Sequence, residues 1–172
     1  MKNVLIVVHP ERKEAIELGS EFAQLLKSKD LMAVTNRPEL ISNSKQFVSG
    51  DKLIAVVVFG GDGTILRAAE IARGTEAPII GVNLGKVGFL AEISKPSLNS
   101  IIEAIKNGKI VSEPRLTIAY KIIRDSKEIA TGWALNEIVV ERSEASLVEL
   151  FVQIDNRPLS RWGCDAVICS TP

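Results

Sequence analysis

Two cysteines, one histidine and one tyrosine are all that this 172-residue chain holds of those types. Cys164 and Cys169 lie five positions apart in Leu159–Cys169, which reads as one strand. An odd separation puts them on opposite faces, so that strand cannot bring them together as a disulfide. One histidine and two cysteines do not make a zinc site, and no residue of the chain is assigned as a metal ligand. So few cysteines fit a reducing, cytoplasmic setting. No stretch approaches the roughly 20 apolar residues needed to cross a bilayer. The opening MKNVLIVVHPERKEA has a short apolar run followed at once by a charged helix, unlike a signal peptide. An excess of one charge is missing too: Lys plus Arg and Asp plus Glu are 21 each. There is then no basic field to argue for nucleic acid or an anionic membrane as partner. Neither GxxxxGK[ST] nor GxGxxG occurs. No internal repeat and no low-complexity tract is legible.

What is present is a globular composition, 46% hydrophobic and 24% charged, enough for one domain or one domain and part of another. Asn3–Val8 and Leu53–Phe59 are continuous apolar runs suited to buried parallel strands. Leu31–Thr35 and Pro78–Val82 read as two more strands. Residues 11–29 carry a helical stripe of Ala15, Leu18, Phe22 and Leu25. Thr64–Arg73 and Pro96–Asn107 read as further helices, the second ended by Gly108. Asn36–Gly50 is polar and loop-like. Alternating strands and helices predict a parallel sheet with packed helices, joined by right-handed crossovers. The character changes near Glu113-Pro114. Leu116–Arg124, Glu128–Val140, Leu147–Ile154 and Leu159–Cys169 read as strands, with turns at Asp125-Ser126-Lys127 and Asp155–Pro158. The expected division is therefore 1–113, an α/β nucleotide- and phosphate-binding domain, and 114–172, the first part of a mostly antiparallel β domain.

The most informative stretch is Phe59-Gly60-Gly61-Asp62-Gly63-Thr64, after the best strand and before a helix. Ligands of open α/β sheets sit beyond the carboxyl ends of the strands. Glycines there let the backbone approach a ligand, and a helix N-terminus offers amides and partial positive charge to phosphate. A carboxylate beside phosphate is repulsive unless it binds a metal or takes a proton. Asp62 is therefore the leading candidate for chemistry; the plain alternative is a helix cap. Arg67 can reach a phosphate or be an ordinary solvated arginine. The cluster Gly81–Leu90 is either a loop packed near a ligand or a tight connection between domains. His9, after the first strand, reads as a turn residue, and Trp133 and Trp162 as packing groups.

At these residues the chain resembles the NAD kinases. GGDGTILRAAE at 60–70 and GVNLGKVGFLAE at 81–92 are similar to that family's motifs. Leu135-Asn136-Glu137 matches its Asn-Glu motif, and Gly163-Cys164-Asp165 stands where the family has an Asp-containing turn, with Ala166 in place of the usual Gly. Ser170-Thr171-Pro172 matches the opening of its Ser-Thr-Pro-Thr-Gly-Ser-Thr-Ala-Tyr run, so the chain is expected to stop inside a motif, with an unpaired strand edge. GGDG alone is shared with lipid kinases and phosphofructokinases. The resemblance implies an α/β N-terminal domain with a parallel sheet, of the type shared with diacylglycerol kinases, an incomplete β domain after it, and an active site between them. It implies phosphoryl transfer from ATP, or inorganic polyphosphate, to the 2′-hydroxyl of NAD's adenosine ribose, giving NADP with Mg²⁺. Asp62 would be the proton acceptor. Asp62, Gly63, Arg67, Phe89, Asn136, Glu137, Asp165, Ser170 and Thr171 would contact NAD. Gly60, Gly61, Gly63 and Thr64 would cradle phosphate. Full-length members are homodimers or homotetramers. The competing readings are a lipid or other small-alcohol kinase sharing GGDGT, and a non-catalytic nucleotide-binding fragment.

Overall fold

The N-terminal apolar run forms β1, Lys2–Val8, and the second such run forms β4, Leu53–Gly60; the two are parallel neighbours at the centre of one sheet. In both, the side chains alternate between two buried faces. Val4, Ile6, Val8, Ala55, Val57 and Phe59 enter one core, and Leu5, Val7, Val56 and Val58 enter the other. Burial on both sides is why these segments are continuously apolar rather than alternating. The structure, a computed structural model, describes residues 2–84, the backbone of 93–94, and residues 97–143 and 147–172.

Four more strands complete the sheet: β2 Leu31–Thr35, β3 Lys45–Gln46, β5 Ile79–Asn83 and β6 Ile93–Ser94. All pairings are parallel and the order is β3-β2-β1-β4-β5-β6. The short β3 lies inside the polar segment read from sequence as a loop. Among the described residues three helices pack on the sheet: α1 Lys13–Lys27, α2 Asp62–Ile71 and α3 Leu98–Lys106. Helices α1 and α3 cover the face of Val4 and Phe59, where Phe22 meets Phe59 edge-to-face at 5.6 Å between ring centroids. Helix α2 covers the opposite face through Ile65, Ala68 and Ala72. The steps β1 to β2 and β4 to β5 run in opposite directions and put their helices on opposite faces, as crossovers of one hand require.

The buried stripe of α1 is Ala15, Gly19, Phe22, Ala23 and Leu26, with Leu18 and Leu25 only half-buried. Ala15 and Phe22 of the sequence stripe lie on it, while Leu18 and Leu25 pack at its margin and Gly19 and Leu26 take the central positions. A Cβ on Gly19 would stand 2.7 Å from Val8 Cγ1 and 2.8 Å from Ile41 Cδ1, so the helix lies against the sheet through that gap. Lys29, just after α1, donates to Glu103 of α3 at 2.9 Å. The hydrogen bond and charge of Lys29, aided by Lys106 and Asn107, hold the Glu103 carboxyl below its ordinary value of 4.5. A lowered carboxylate contributes stability above the unfolded pKa, and the contribution is lost as pH falls through the folded one. The melting-temperature gap between the parent and Glu103→Gln is therefore expected to be present at neutral pH and to close in acid, below that ordinary value. A gap that stays constant from neutral pH down to pH about 3 would remove the ion pair from the stability of this face.

The chain divides into two compact units, Met1–Ser112 and Glu113–Pro172. Among the described residues the second holds six strands: β7 Ile118–Arg124, β8 Lys127–Ala134, β9 Glu137–Glu141, β10 Val148–Ile154, β11 Arg157–Cys164 and β12 Ala166–Ser170. They form three antiparallel ribbons, β7-β8, β10-β11 and β9-β12. Two segments read as single strands are each divided: Glu128–Val140 breaks at Leu135-Asn136, and Leu159–Cys169 breaks at Asp165. Cys164 and Cys169 consequently lie in different ribbons, and both are free thiols. Trp133 is half-buried, whereas Trp162 is exposed. No described residue of the second unit is fully buried, and Phe151, Leu159, Ile168 and Val139 are among its exposed apolar side chains.

These ribbons are a duplication that the sequence conceals. Ile118 corresponds to Val148, Arg124 to Ile154, Lys127 to Arg157 and Ala134 to Cys164, a constant shift of 30 residues. The register irregularity recurs at the same place, Ile122/Ile123 and Val152/Gln153. Both hairpins turn through two residues at positive φ, Asp125-Ser126 and Asp155-Asn156, with 50° and 61° in each. Positive φ at both central positions marks the tight turn whose twist suits a hairpin. In β9-β12, Glu137 faces Ser170 and Val140 faces Val167, the register that a twofold axis relating the two copies requires. Across the shift only Asp125/Asp155 and Ile138/Ile168 are identical residues, so no repeat was legible.

Candidate functional site

Strand order reverses direction between β1 and β4, and in such sheets the crevice beyond the carboxyl ends at that reversal is where ligands bind. Gly60-Gly61-Asp62-Gly63-Thr64 lies at this end of β4. The strand ends at Gly60, Gly61 is the N-cap of α2 with φ −107° and ψ −168°, and Asp62 is the first helical residue. The amides of Thr64 and Ile65 bond back to the Gly61 carbonyl at 2.9 and 3.2 Å. The helix thus begins two residues earlier than its sequence pattern predicts, and the cap position belongs to Gly61, not to Asp62. Asp62 is half-buried, in the first turn, where the helix dipole favours an anion.

The three glycines have different reasons. A Cβ on Gly60 would collide with Thr64 Oγ1 and stand 2.7 Å from Thr64 Cβ, and Thr64 is buried. Gly60 is glycine so that the first turn of α2 can close onto the strand. Gly61 and Gly63 have nothing within 4 Å of a built Cβ and neither needs a positive φ. Glycine inside a helix costs about 0.5–1 kcal/mol relative to alanine. Packing gives no return for that cost at Gly63, which is exposed at the helix start. Arg67 is exposed one turn further on, at i+4 from Gly63. Helical side chains lean toward the N-terminus, so Arg67 shares the face that Gly63 leaves open.

Two residues that the sequence reading did not assign flank the loop. His9 follows β1, and its amide donates to the Phe59 carbonyl at 3.0 Å, one step beyond the Val8–Phe59 pair. Asn83, the last residue of β5, is the ladder partner of Gly60. The usable signal was strand adjacency, which an isolated sequence does not display. Phe89 and most of the second glycine cluster lie outside the described residues.

In the second unit, tertiary pairing gathers motif residues more than 30 positions apart. Glu137 pairs with Ser170, and the Thr171 amide donates to the Asn136 carbonyl at 2.8 Å. The Thr171 hydroxyl donates to the carbonyls of Leu135 and Asn136 at 3.3 and 3.2 Å, so its proton is spent holding that bend. Asn136 lies in the bend, half-buried, and Glu137 opens the strand, exposed. The alternation of a regular strand does not apply across such a bend. Asp165 sits at the other end of the same ribbon, roughly 17 Å away at ~3.4 Å per residue. Its carbonyl accepts from the Arg142 amide at 2.9 Å, and its carboxylate meets Arg142 Nε at 2.6 Å. Asp165 is thus not gathered with Asn136, Glu137, Ser170 and Thr171. Among the described residues no cluster of three or more metal-ligating side chains occurs, and no helix is long and apolar enough to cross a membrane.

Comparison with known proteins gives one consistent answer. Residues 43–110 match the ATP-NAD kinase N-terminal domain. The NAD kinase of Corynebacterium diphtheriae is 36% identical over an alignment covering 99% of this chain and 59% of that protein. The NAD kinase of Thermobifida fusca is 42% identical over 78% of this chain and 42% of its own length. Yeast NADH kinase, solved in complex with NADH, superposes with a TM-score of 0.86 at 21% identity, covering 99% of this chain and 57% of that one. An Archaeoglobus fulgidus NAD kinase in complex with ATP gives 0.63 at 22% identity, covering 99% and 60%. The solved structures agree in fold; the chain spans about 59% of the length of the corynebacterial relative.

Proposed function

We propose, from the similarity of this chain to the NAD kinases, that it carries the donor site and part of the acceptor site for phosphorylating NAD to NADP. The observation that carries the reading is the β4–α2 loop: a carboxylate at the first turn of a helix, beside a glycine whose empty side-chain space no packing demand explains. Backbone amides at a helix N-terminus bind phosphate without a basic field, in keeping with equal numbers of acidic and basic residues.

In the proposed reaction, loop residues Gly60, Gly61 and Gly63 hold the phosphate tail of ATP, Thr64 supports the phosphate cradle by bonding its own amide back to the Gly61 carbonyl, and Arg67 offers a guanidinium on the open face beside Gly63. Asp62 accepts the proton of the ribose 2′-hydroxyl, from about 2.6–3.2 Å in the productive complex. The 2′-oxygen then bonds to the γ-phosphorus as the bond to the β-γ bridging oxygen breaks, and ADP leaves. Positioning and charge stabilisation supply most of the catalysis in such transfers. Mg²⁺ fits a donor set with one nearby carboxylate, since it binds through few carboxylates, phosphate oxygens and retained water. When bound, it would neutralise phosphate charge, with Asp62 as the nearby carboxylate. Inorganic polyphosphate has the same repeating anhydride and is a second candidate donor.

The β9-β12 ribbon supplies the NAD contacts: Asn136, Glu137 and Ser170 at one end and Asp165 at the other. A dinucleotide, with two nucleoside ends, suits a ribbon that carries polar groups at both ends. Phe89 is proposed beside the base, on its motif alone. A cytoplasmic, homo-oligomeric enzyme acting on NAD, with no nucleic-acid or membrane partner, completes the reading. The test is NADP formation from NAD and ATP, with diacylglycerol as competing acceptor; phosphorylation of the lipid and not of NAD would replace this reading with a lipid kinase. Within it, Glu137→Ala is expected to raise KM for NAD about tenfold, the scale of one lost hydrogen bond to a charged group, with KM for ATP nearly constant. Equal rises for both substrates would take Glu137 out of the acceptor site.

A further inference from the structure

We infer that His9 is a further donor-binding residue, giving a hydrogen bond from Nε2 to the phosphate tail held by the β4–α2 loop. The inference rests on the reading of that loop as the phosphate site and extends it across the sheet reversal. Three observations carry it. The first is position. Val8 pairs with Phe59, and the His9 amide continues the ladder to the Phe59 carbonyl, so His9 stands beside Gly60 at the neighbour-strand spacing of ~4.8 Å. The second is tautomer. The Glu11 amide donates to Nδ1 at 3.3 Å, which makes Nδ1 the acceptor and places the ring hydrogen on Nε2. The third is that Nε2–H has no acceptor among the described residues, although His9 as a residue is half-buried.

The turn itself holds this arrangement. The Arg12 amide donates to the His9 carbonyl at 3.3 Å, so His9–Arg12 forms a closed turn between β1 and α1. His9 is thereby fixed by a backbone bond on each side and by Glu11 at Nδ1, with one ring donor left over just beyond the carboxyl end of β1. The β4–α2 loop contributes mainly amides, because Gly60, Gly61 and Gly63 have no side chains and Thr64 is buried. A side-chain donor from β1 would grip the phosphate chain from the other side of the reversal, where ligands of this sheet type lie.

The test is calorimetric binding of inorganic tripolyphosphate and, separately, of NAD to the parent, His9→Ala, His9→Gln and Gly63→Ala proteins, each checked for fold by circular dichroism. His9→Ala is expected to weaken tripolyphosphate about tenfold while NAD binding stays at the parental value, as loss of one hydrogen bond to a charged group predicts. His9→Gln, which restores an amide donor of similar reach, is expected to recover most of that loss. Parental tripolyphosphate affinity in His9→Ala, with Gly63→Ala weakened, overturns the role of His9 and leaves the loop reading standing. An equal loss for NAD and tripolyphosphate in His9→Ala also overturns it, since that is the mark of a structural role. A parent that binds NAD but no tripolyphosphate overturns the loop reading and this inference together.

Discussion

Replacing Asp62 by asparagine is expected to lower the rate of NADP formation by about 10²–10⁴-fold, the usual contribution of a positioned general base, with KM for NAD and ATP close to parental. Asparagine matches the carboxylate in shape but cannot accept a proton at neutral pH. The substitution is mild for the fold. Asp62 is the first residue of α2, half-buried, and not the residue that caps it. Loss of its charge forgoes a helix-dipole interaction of about 0.3–1 kcal/mol. A melting temperature a few degrees lower with a rate lower by orders of magnitude separates chemistry from stability. A variant that turns over at the parental rate would remove Asp62 as the base, whatever its stability.

Gly63→Ala is expected to move stability and binding in opposite directions. Alanine gains about 0.5–1 kcal/mol over glycine within a helix, and nothing lies within 4 Å of the added Cβ, so the melting temperature should rise or hold. In the proposed donor site, the same methyl group would occupy the space through which phosphate reaches the first amides of α2. Tripolyphosphate and ATP affinity are expected to fall more than tenfold, because a methyl in that path separates several charge-assisted hydrogen bonds at once. A purely structural glycine behaves otherwise. Gly60→Ala would collide with Thr64 and destabilise the protein first. If Gly63→Ala binds tripolyphosphate as the parent does, the empty space is not a phosphate path, and the main support for the donor site is gone.

Between the two units, the α/β unit was the more legible. Its strands are buried on both faces, so β1 and β4 announce themselves as unbroken apolar runs, and α2 follows at once. The β unit was misread at its two break points. The runs through Leu135-Asn136 and through Asp165 keep strand-like residues on both sides, and nothing local marks a strand leaving one ribbon for another. Those break points are where the family motifs fall. The sequence supplied the residues, and their role as ends of a shared ribbon came from pairing. Thr171 is the instructive case: assigned to NAD by motif, its hydroxyl is engaged with the Leu135 and Asn136 carbonyls.

From the sequence alone came the four longer strands of the sheet, the change of character near Glu113, the glycine–aspartate loop and the resemblance to NAD kinases, because burial, turn chemistry and motif spacing are written in neighbouring residues. Tertiary structure alone decided the strand order, and with it that His9 and Asn83 flank Gly60. It alone separated Asp165 from Asn136, and disclosed the 30-residue duplication beneath dissimilar residues. The reason is physical: which strands become neighbours is settled by covering both faces of a sheet and satisfying its backbone hydrogen bonds, and those are conditions on the whole chain rather than on any one stretch of it.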